Sequence, residues 1–251
     1  MIDLTIEGGI AVATLCQPPV NAINDDWVAR LDAILSQLEK DPSISVLWIR
    51  SNQRVFCAGA NLEFMRARFL TEEGRVLMIA FTRRLQEVLT RLEKIGLVTL
   101  AEIGGAALGG GFEMALACDL RIVSDTAKIG LPEARLGLLP AGGGTQRMTR
   151  LCGESVARRL ILGAEMVNGS TAVGLGLAQW AAPAAELEAA ARALATRIAE
   201  LPRQALAECK TCIDAALQAN VNGFEVELAG SKRLLGSTQT QQLVRQFLEK
   251  S

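Results

Sequence analysis

The sequence predicts an α/β fold whose C-terminal part is helical. Three observations carry this reading. Short β-rich runs alternate with amphipathic helical stretches up to about residue 150. Beyond that point the pattern is mostly helical. The two most conspicuous glycine-bearing segments, "VFCAGANL" and "GGAALGGGFE", each follow a β-rich run and precede a helical one.

In chain order, the N-terminal "MIDLTIEGGIAVATL" reads as strand, turn, strand. "NDDWVARLDAILSQLEKD" has the apolar period of a helix, with Asn24 or Asp25 as N-cap, and "ISVLWIRS" reads as a buried strand. "EEGRVLMIAFTRRLQEVLTRLEKIG" is a long amphipathic helix closed by Gly96, followed by the strand "LVTLAEIGG". After the second glycine segment come the strand "LRIVSD" and a loop-rich run, "KIGLPEARLGLLPAGGGTQRMTRL". Four helical stretches then lead to a polar terminal helix: "GESVARRLILG", "STAVGLGL", "AAELEAAARALATRIAEL" and "PRQALAECKTCIDAALQA".

Composition narrows the function classes. Half of the 251 residues are apolar, ample for a large core, and 26 basic residues nearly cancel 27 acidic ones. No overall field draws such a chain to nucleic acid or to an anionic membrane, so an anionic ligand has to be held locally. The best basic stripe, "RRLQEVLTRLEK", is diluted by Glu87 and Glu93. Met166 to Ala185 is the longest uncharged run and is broken by Gly and Pro, so no membrane span is expected. The acidic N-terminus lacks a signal peptide's positive region and the six cysteines are scattered in apolar contexts, which points to the cytoplasm. Cys209 and Cys212 form a lone C-x-x-C in a helical pattern, without a second pair to complete a zinc site. The chain has no histidine and no tyrosine, so acid/base work falls to Asp, Glu, Lys or Cys. A dinucleotide fingerprint fails for want of register, since Ala107 stands where Gly105 would need a glycine partner.

The chemistry concentrates at two glutamates. In "GGAALGGGFEMALACD", five glycines fall within eight residues and Glu113 follows directly, two positions after Gly111, among apolar neighbours. A carboxylate there is costly unless it is hydrogen-bonded or has a role, although one in a helix's first turn also favours the dipole. Glu133, in "LPEARLGLLPAGGGTQR", lies 20 residues further on and reads either as a second site acid or as a loop glutamate paired with Arg135. Gly142 to Gly144 open a further helix that is expected to aim N–H donors at a bound water or ligand.

The segments "PPVNAIN", "FCAGANL", "GGAALGGGFEMALACDLRI", "LPEARLGLLPAGGGTQRMTRL" and "AVGLGLAQW" resemble, in order and spacing, the enoyl-CoA hydratase/isomerase (crotonase) superfamily. The resemblance covers roughly residues 3–212. It implies a spiral of ββα units over 1–195 and a C-terminal helical region over 196–251 that assembles trimers, often paired as hexamers, and partly covers the active site. By position, an oxyanion hole falls on the N–H groups of Ala60 and Gly110. Glu113 would deprotonate water for attack at C3, and Glu133 would exchange the proton at C2. Acyl-CoA contacts fall on Ala22, Ala58, Gly59, Ala60, Asn61, Leu62, Gly109, Pro132 and Ala141, with Arg54 as a candidate for the CoA phosphates. Met65, Phe69 and Phe81 are candidates for the acyl pocket. No metal or redox cofactor is implied, since coenzyme A arrives with the substrate.

The resemblance has departures. Asn61 replaces a usual aspartate, Ala141 a glycine and Glu102 a small apolar residue, and the terminal "STQTQQLVRQFLEKS" lacks the usual acid-glycine pair. Glu102 reads as a structural or interface carboxylate. Simple isomerases of the family usually keep only the carboxylate corresponding to Glu133, so the presence of Glu113 favours hydration.

Overall fold

A computed structural model describes residues 1–249. The last two residues of the expected C-terminal region lie outside them. The N-terminal hairpin pairs β1 (Ile2–Glu7) with β2 (Ile10–Leu15), antiparallel from Ile2–Leu15 to Glu7–Ile10. From β2 the chain crosses through α1 (Asp25–Glu39) to β3 (Val46–Ser51), then through α2 (Leu62–Phe69) and α3 (Glu72–Lys94) to β4 (Val98–Ile103). The short β5 (Ala107–Leu108) and α4 (Gly110–Leu116) lead to β6 (Leu120–Ser124). Next come β7 (Ile129–Gly130), a 3-10 turn (Glu133–Leu136), α5 (Gly144–Leu162), β8 (Met166–Val167), α6 (Gly169–Gly174) and β9 (Trp180–Ala182). Four helices complete the described chain: α7 (Leu187–Ala199), α8 (Arg203–Ala215), α9 (Gly223–Leu235) and α10 (Thr238–Glu249).

The main sheet runs β1-β2-β3-β4-β6-β9 and is parallel from β2 onward, while β5-β7-β8 form a second small sheet. Parallel neighbours need crossovers, and the successive crossovers make the chain spiral. Both faces of the main sheet are covered, as a parallel sheet requires. One carries the large core of α1, α3, α4 and α5, including Trp27, Leu35, Phe81, Phe112 and Met148. The other packs Val12, Trp48, Leu100 and Ile122 against Leu187, Ala191, Ala195 and Ile198 of α7.

The expected boundary at 195/196 falls inside α7, whose apolar face packs on the sheet. Within the loop-rich run, the helix expected to open at Gly142 to Gly144 starts at Gly144. Residues 144–152 are helical because Arg147 and Met148 are buried, and α5 runs through with a kink at Gly153 (φ 79°, ψ 164°). Asn24, not Asp25, caps α1 by accepting from Trp27 N–H. Phe81 belongs to the core (2% exposed), stacked edge-on against Phe64, whereas Phe69 is exposed and Met65 half-buried. No helix among the described residues is long and apolar enough to cross a membrane.

Candidate active site

Three segments are woven into one wall. The 17–23 turn is anchored by Asn21, buried and left-handed (φ 52°), whose side chain accepts from Gln17 N–H and donates to Ser51 Oγ and the Phe56 carbonyl. Against this turn lies the 57–61 segment: Ala58 N–H donates to Val20 O, Ile23 N–H to Gly59 O and Asn61 N–H to Ile23 O. The third segment, 106–110, joins through Phe56 N–H to Ala106 O and Leu108 N–H to Cys57 O, while Gly109 N–H ties it to Gly130 O of β7. Of the expected CoA contacts, Ala22 and the Ala58–Leu62 stretch thus share one wall, with Leu62 62% exposed at its rim. Asn61 keeps the helix-capping role open to an aspartate, accepting from Glu63 and Phe64 N–H at the start of α2. The Arg54 side chain is exposed.

Gly109 adopts φ 52°, ψ −128°, a conformation L side chains avoid, and this turns the chain so that Gly110 opens α4. The Gly110 N–H has no partner within the helix. A Cβ added at Gly110 would lie 3.7 Å from Ala60 N, and one at Gly59 would lie 3.2 Å from Gly110 N, so the two expected donors belong to adjoining backbones. Missing side chains are what let these backbones approach.

Glu113, in the first turn of α4, is buried (3% exposed). Its Oε1 accepts from Gly144 N–H at 2.7 Å. One donor of the 142–144 turn, the Gly144 N–H, thus meets a protein carboxylate. The glycines are needed for contact: an added Cβ would lie 2.6 Å from Glu113 Oε2 at Gly142 and 2.9 Å from Oε1 at Gly144. Burial pushes the Glu113 carboxyl up to about 7; the Gly144 hydrogen bond opposes that rise, the charge of Glu133 adds to it and Arg147 opposes it.

Glu133 opens the 3-10 turn behind Pro132, half-buried, with its carboxyl pushed above the ordinary range by burial. Its Oε2 is buried without a hydrogen-bond partner, and a Cβ added at Gly109 would lie 2.9 Å from its Oε1. It does not pair with Arg135, which donates instead to the Ala164 carbonyl. Ala141 lies on the turn beside Glu113, its carbonyl accepting from Gln86 Nε2. The wall, Glu113, Glu133 and the 141–144 turn thus surround one glycine-lined place, where two carboxyls with raised proton affinity stand beside unpaired backbone donors.

Two contributors escaped the sequence reading. Asn21 carried a usable signal, as an asparagine in a Pro-rich turn tolerates the left-handed conformation. Arg147 carried none, because its burial arises only from the packing of α5 on α3. Glu102 stands apart. It alternates with Ala101 and Ile103 on β4, on the face that carries Leu100 and α7.

A sequence profile of the enoyl-CoA hydratase/isomerase family matches residues 5–251, beyond the 3–212 span of the motif resemblance. The chain is 34% identical over 254 residues to a probable enoyl-CoA hydratase of Bacillus subtilis, covering 99% of this chain and 96% of that protein. It is 36% identical over 247 residues to a probable mitochondrial enoyl-CoA hydratase 2 of Arabidopsis thaliana, covering 97% and 80%. Among solved structures, an enoyl-CoA hydratase from Geobacillus kaustophilus superposes with a TM-score of 0.94 at 30% identity, covering 99% of this chain and 94% of that one. The spiral of crossovers, the glycine-lined wall and these likenesses agree: the chain belongs to the enoyl-CoA hydratase/isomerase (crotonase) family.

Proposed function

We propose that the protein hydrates the 2,3 double bond of an enoyl-CoA thioester. The observation that carries this reading is the pair of carboxyls with raised proton affinity, Glu133 against Gly109 and Glu113 against Gly142 and Gly144, near enough for the charge of Glu133 to act on Glu113. With a pKa of about 7, Glu113 is substantially ionised at neutral pH and matched to general-base work. It takes a proton from water as the water oxygen bonds to C3. Electron density moves onto the thioester oxygen, where the N–H groups of Ala60 and Gly110 stabilise it. Glu133 delivers the proton to C2, completing addition of H and OH. The two carboxyls interact, since the charge of Glu133 adds to the rise in proton affinity at Glu113. The proposed reaction draws on no metal or redox group.

The same reading assigns acyl-CoA contacts to Ala22, Ala58–Leu62, Gly109, Pro132 and Ala141, places the enzyme in the cytoplasm, and makes it a homotrimer or hexamer. Exposed Phe224, Leu228 and Leu235 on α9 support assembly, since apolar side chains along one helix call for a cover. Light scattering of the purified protein at the mass of three or six chains supports the assembly; a single-chain mass overturns it. The activity is tested by loss of enoyl-thioester absorbance with crotonyl-CoA. Wild type should turn over, and Glu113→Gln and Glu133→Gln should each lose about 10²- to 10⁴-fold in kcat. A wild type that binds acyl-CoA but leaves the double bond intact sinks the hydratase reading and redirects it to isomerisation or another acyl-CoA reaction.

A further inference from the structure

We propose that Arg147 is a positioning residue of this site: buried under the 142–144 turn, it grips the turn from below so that the upper side presents the Gly144 N–H to Glu113. The inference rests on the hydratase reading for its kinetic consequences, and on geometry alone for its structural ones.

Arg147 is 4% exposed, and its three guanidinium nitrogens each donate within the protein. Nη1 donates to the Gly142 carbonyl at 2.9 Å, Nε to Glu93 Oε2 at 2.8 Å and Nη2 to Thr90 Oγ1 at 3.3 Å. Two of these partners lie on α3, so the guanidinium pins the turn to the long helix of the core. Glu93 is itself held by Arg150 at 2.9 Å. On the other side of the turn Glu113 presses against Gly142 and accepts from Gly144, so the turn is a single peptide layer between a carboxyl and a guanidinium.

This layer explains why three glycines stand in a row. Side chains at Gly142 and Gly144 would collide with Glu113, while a Cβ at Gly143 would lie 2.2 Å from Arg147 Nη1. Gly143 also has φ 109°, which tilts its neighbours' peptide groups to opposite sides. The Gly142 carbonyl thereby points down to Arg147 and the Gly144 N–H up to Glu113. A fixed donor and a fixed cation both favour the ionised base, consistent with Arg147 lowering the proton affinity of Glu113. The other charged groups around Arg147 are Glu93 and Lys94 of α3, Arg150 of α5 and Asp214 of α8, with Glu133 facing Glu113 from the 3-10 turn. None of them replaces the bond to the Gly142 carbonyl.

The test uses the full chain with Arg147→Met and Arg147→Lys, reading both crotonyl-CoA kinetics and the Glu113 carboxyl stretch by infrared titration, assigned by its loss in Glu113→Gln. Arg147→Met should raise the infrared midpoint by about one pH unit and lower kcat at pH 7 about tenfold or more, with KM changed less than about threefold. Arg147→Lys restores the charge but not the fork, so its midpoint should return while kcat stays several-fold low. A folded Arg147→Met with unchanged midpoint and kcat overturns the proposal, even if its Tm falls. Where Arg147→Met does not fold, Arg147→Lys decides, and an unchanged kcat overturns the proposal. A wild type inert toward crotonyl-CoA sinks the hydratase reading instead, and the infrared midpoints still decide the role of Arg147.

Discussion

Glu113 and Glu102 are buried almost equally, 3% and 5% exposed, and burial pushes both carboxyls upward, yet their surroundings differ in kind. Glu113 is walled by glycines, with a backbone N–H on one oxygen and its carboxylate filling the places where side chains at Gly142 and Gly144 would stand. Glu102 is walled by large groups. Its Oε2 lies 3.9 Å from Arg50 Nε, too far for a hydrogen bond, and the Arg50 and Arg192 guanidiniums sit over the nearby Trp48 ring at 5.3 and 5.1 Å. Burial alone does not make a catalytic carboxyl. A reacting base also needs donors that fix its direction, and of these two glutamates Glu113 has a backbone N–H at 2.7 Å.

The largest effect is expected from exchanging each acid for its amide. Glu113→Gln should cost about a thousandfold in kcat for crotonyl-CoA hydration, while Glu102→Gln should stay within about twofold of wild type. A comparable loss in a folded Glu102→Gln would erase the distinction and bring that carboxyl into the chemistry.

The glycine wall gives the next effect. Gly142→Ala would set a methyl 2.6 Å from Glu113 Oε2 and push the carboxylate off Gly144, so kcat should fall about 10- to 100-fold. Gly137→Ala is the backbone control, because Gly137 has positive φ (70°), unlike Gly142, and nothing lies within 4 Å of the added Cβ. It should cost about 1 kcal/mol of stability from backbone strain and leave kcat unchanged. Equal kinetics for the two variants would show that the glycines serve the backbone and not Glu113.

What the sequence made legible follows the same division. Glycines, glutamates and their order along the chain are local facts, so the turn at 109–110 and the two candidate acids could be read directly, as could the strands and helices with clear periods. Side-chain partners across elements are not local. The Gly144 N–H reaches Glu113 across 31 positions and Arg147 reaches Glu93 across 54, and no periodicity announces such pairs. The packing of α7 is a fact of the same kind. An alanine-rich amphipathic helix reads alike whether its apolar face meets a sheet or another helix, and only Leu187, Ala191 and Ala195 lying on the sheet decide it.

A smaller effect separates the two acids by stability. The folded-state pKa of Glu113 is raised from 4.5 to about 7, so folding favours its protonated form. Its contribution is fully present below the unfolded value and is lost as pH rises through the folded value, a penalty of about 3 kcal/mol complete above roughly pH 8. Glu113→Gln should therefore gain stability over wild type from pH 5 to pH 8 in urea melts, by up to that amount. A constant difference across this range would mean that Glu113 folds without a proton-linked cost. Glu102→Gln should move in the same direction, since its carboxyl is also raised by burial, with Arg50 opposing the shift.

The smallest effect probes what covers Glu102. Arg50 spends its two terminal nitrogens on Glu188, at 2.6 and 2.7 Å, and Glu188 is half exposed. An exposed pair of this kind is worth about 1 kcal/mol or less, because solvent screens it and both side chains lose freedom. Glu188→Gln removes that partner and leaves Glu102 as the acidic neighbour already within 3.9 Å of the freed guanidinium. Thermal melts at pH 8 should therefore shift by less than the loss of an independent pair, since Arg50 gains at Glu102 part of what it loses at Glu188. Glu102→Gln in that background should then cost more than it does in wild type, because the carboxylate has become the main partner of Arg50. Strict additivity of the two substitutions would mean that Arg50 does not answer to Glu102, and that the back-face carboxyl is held by burial alone.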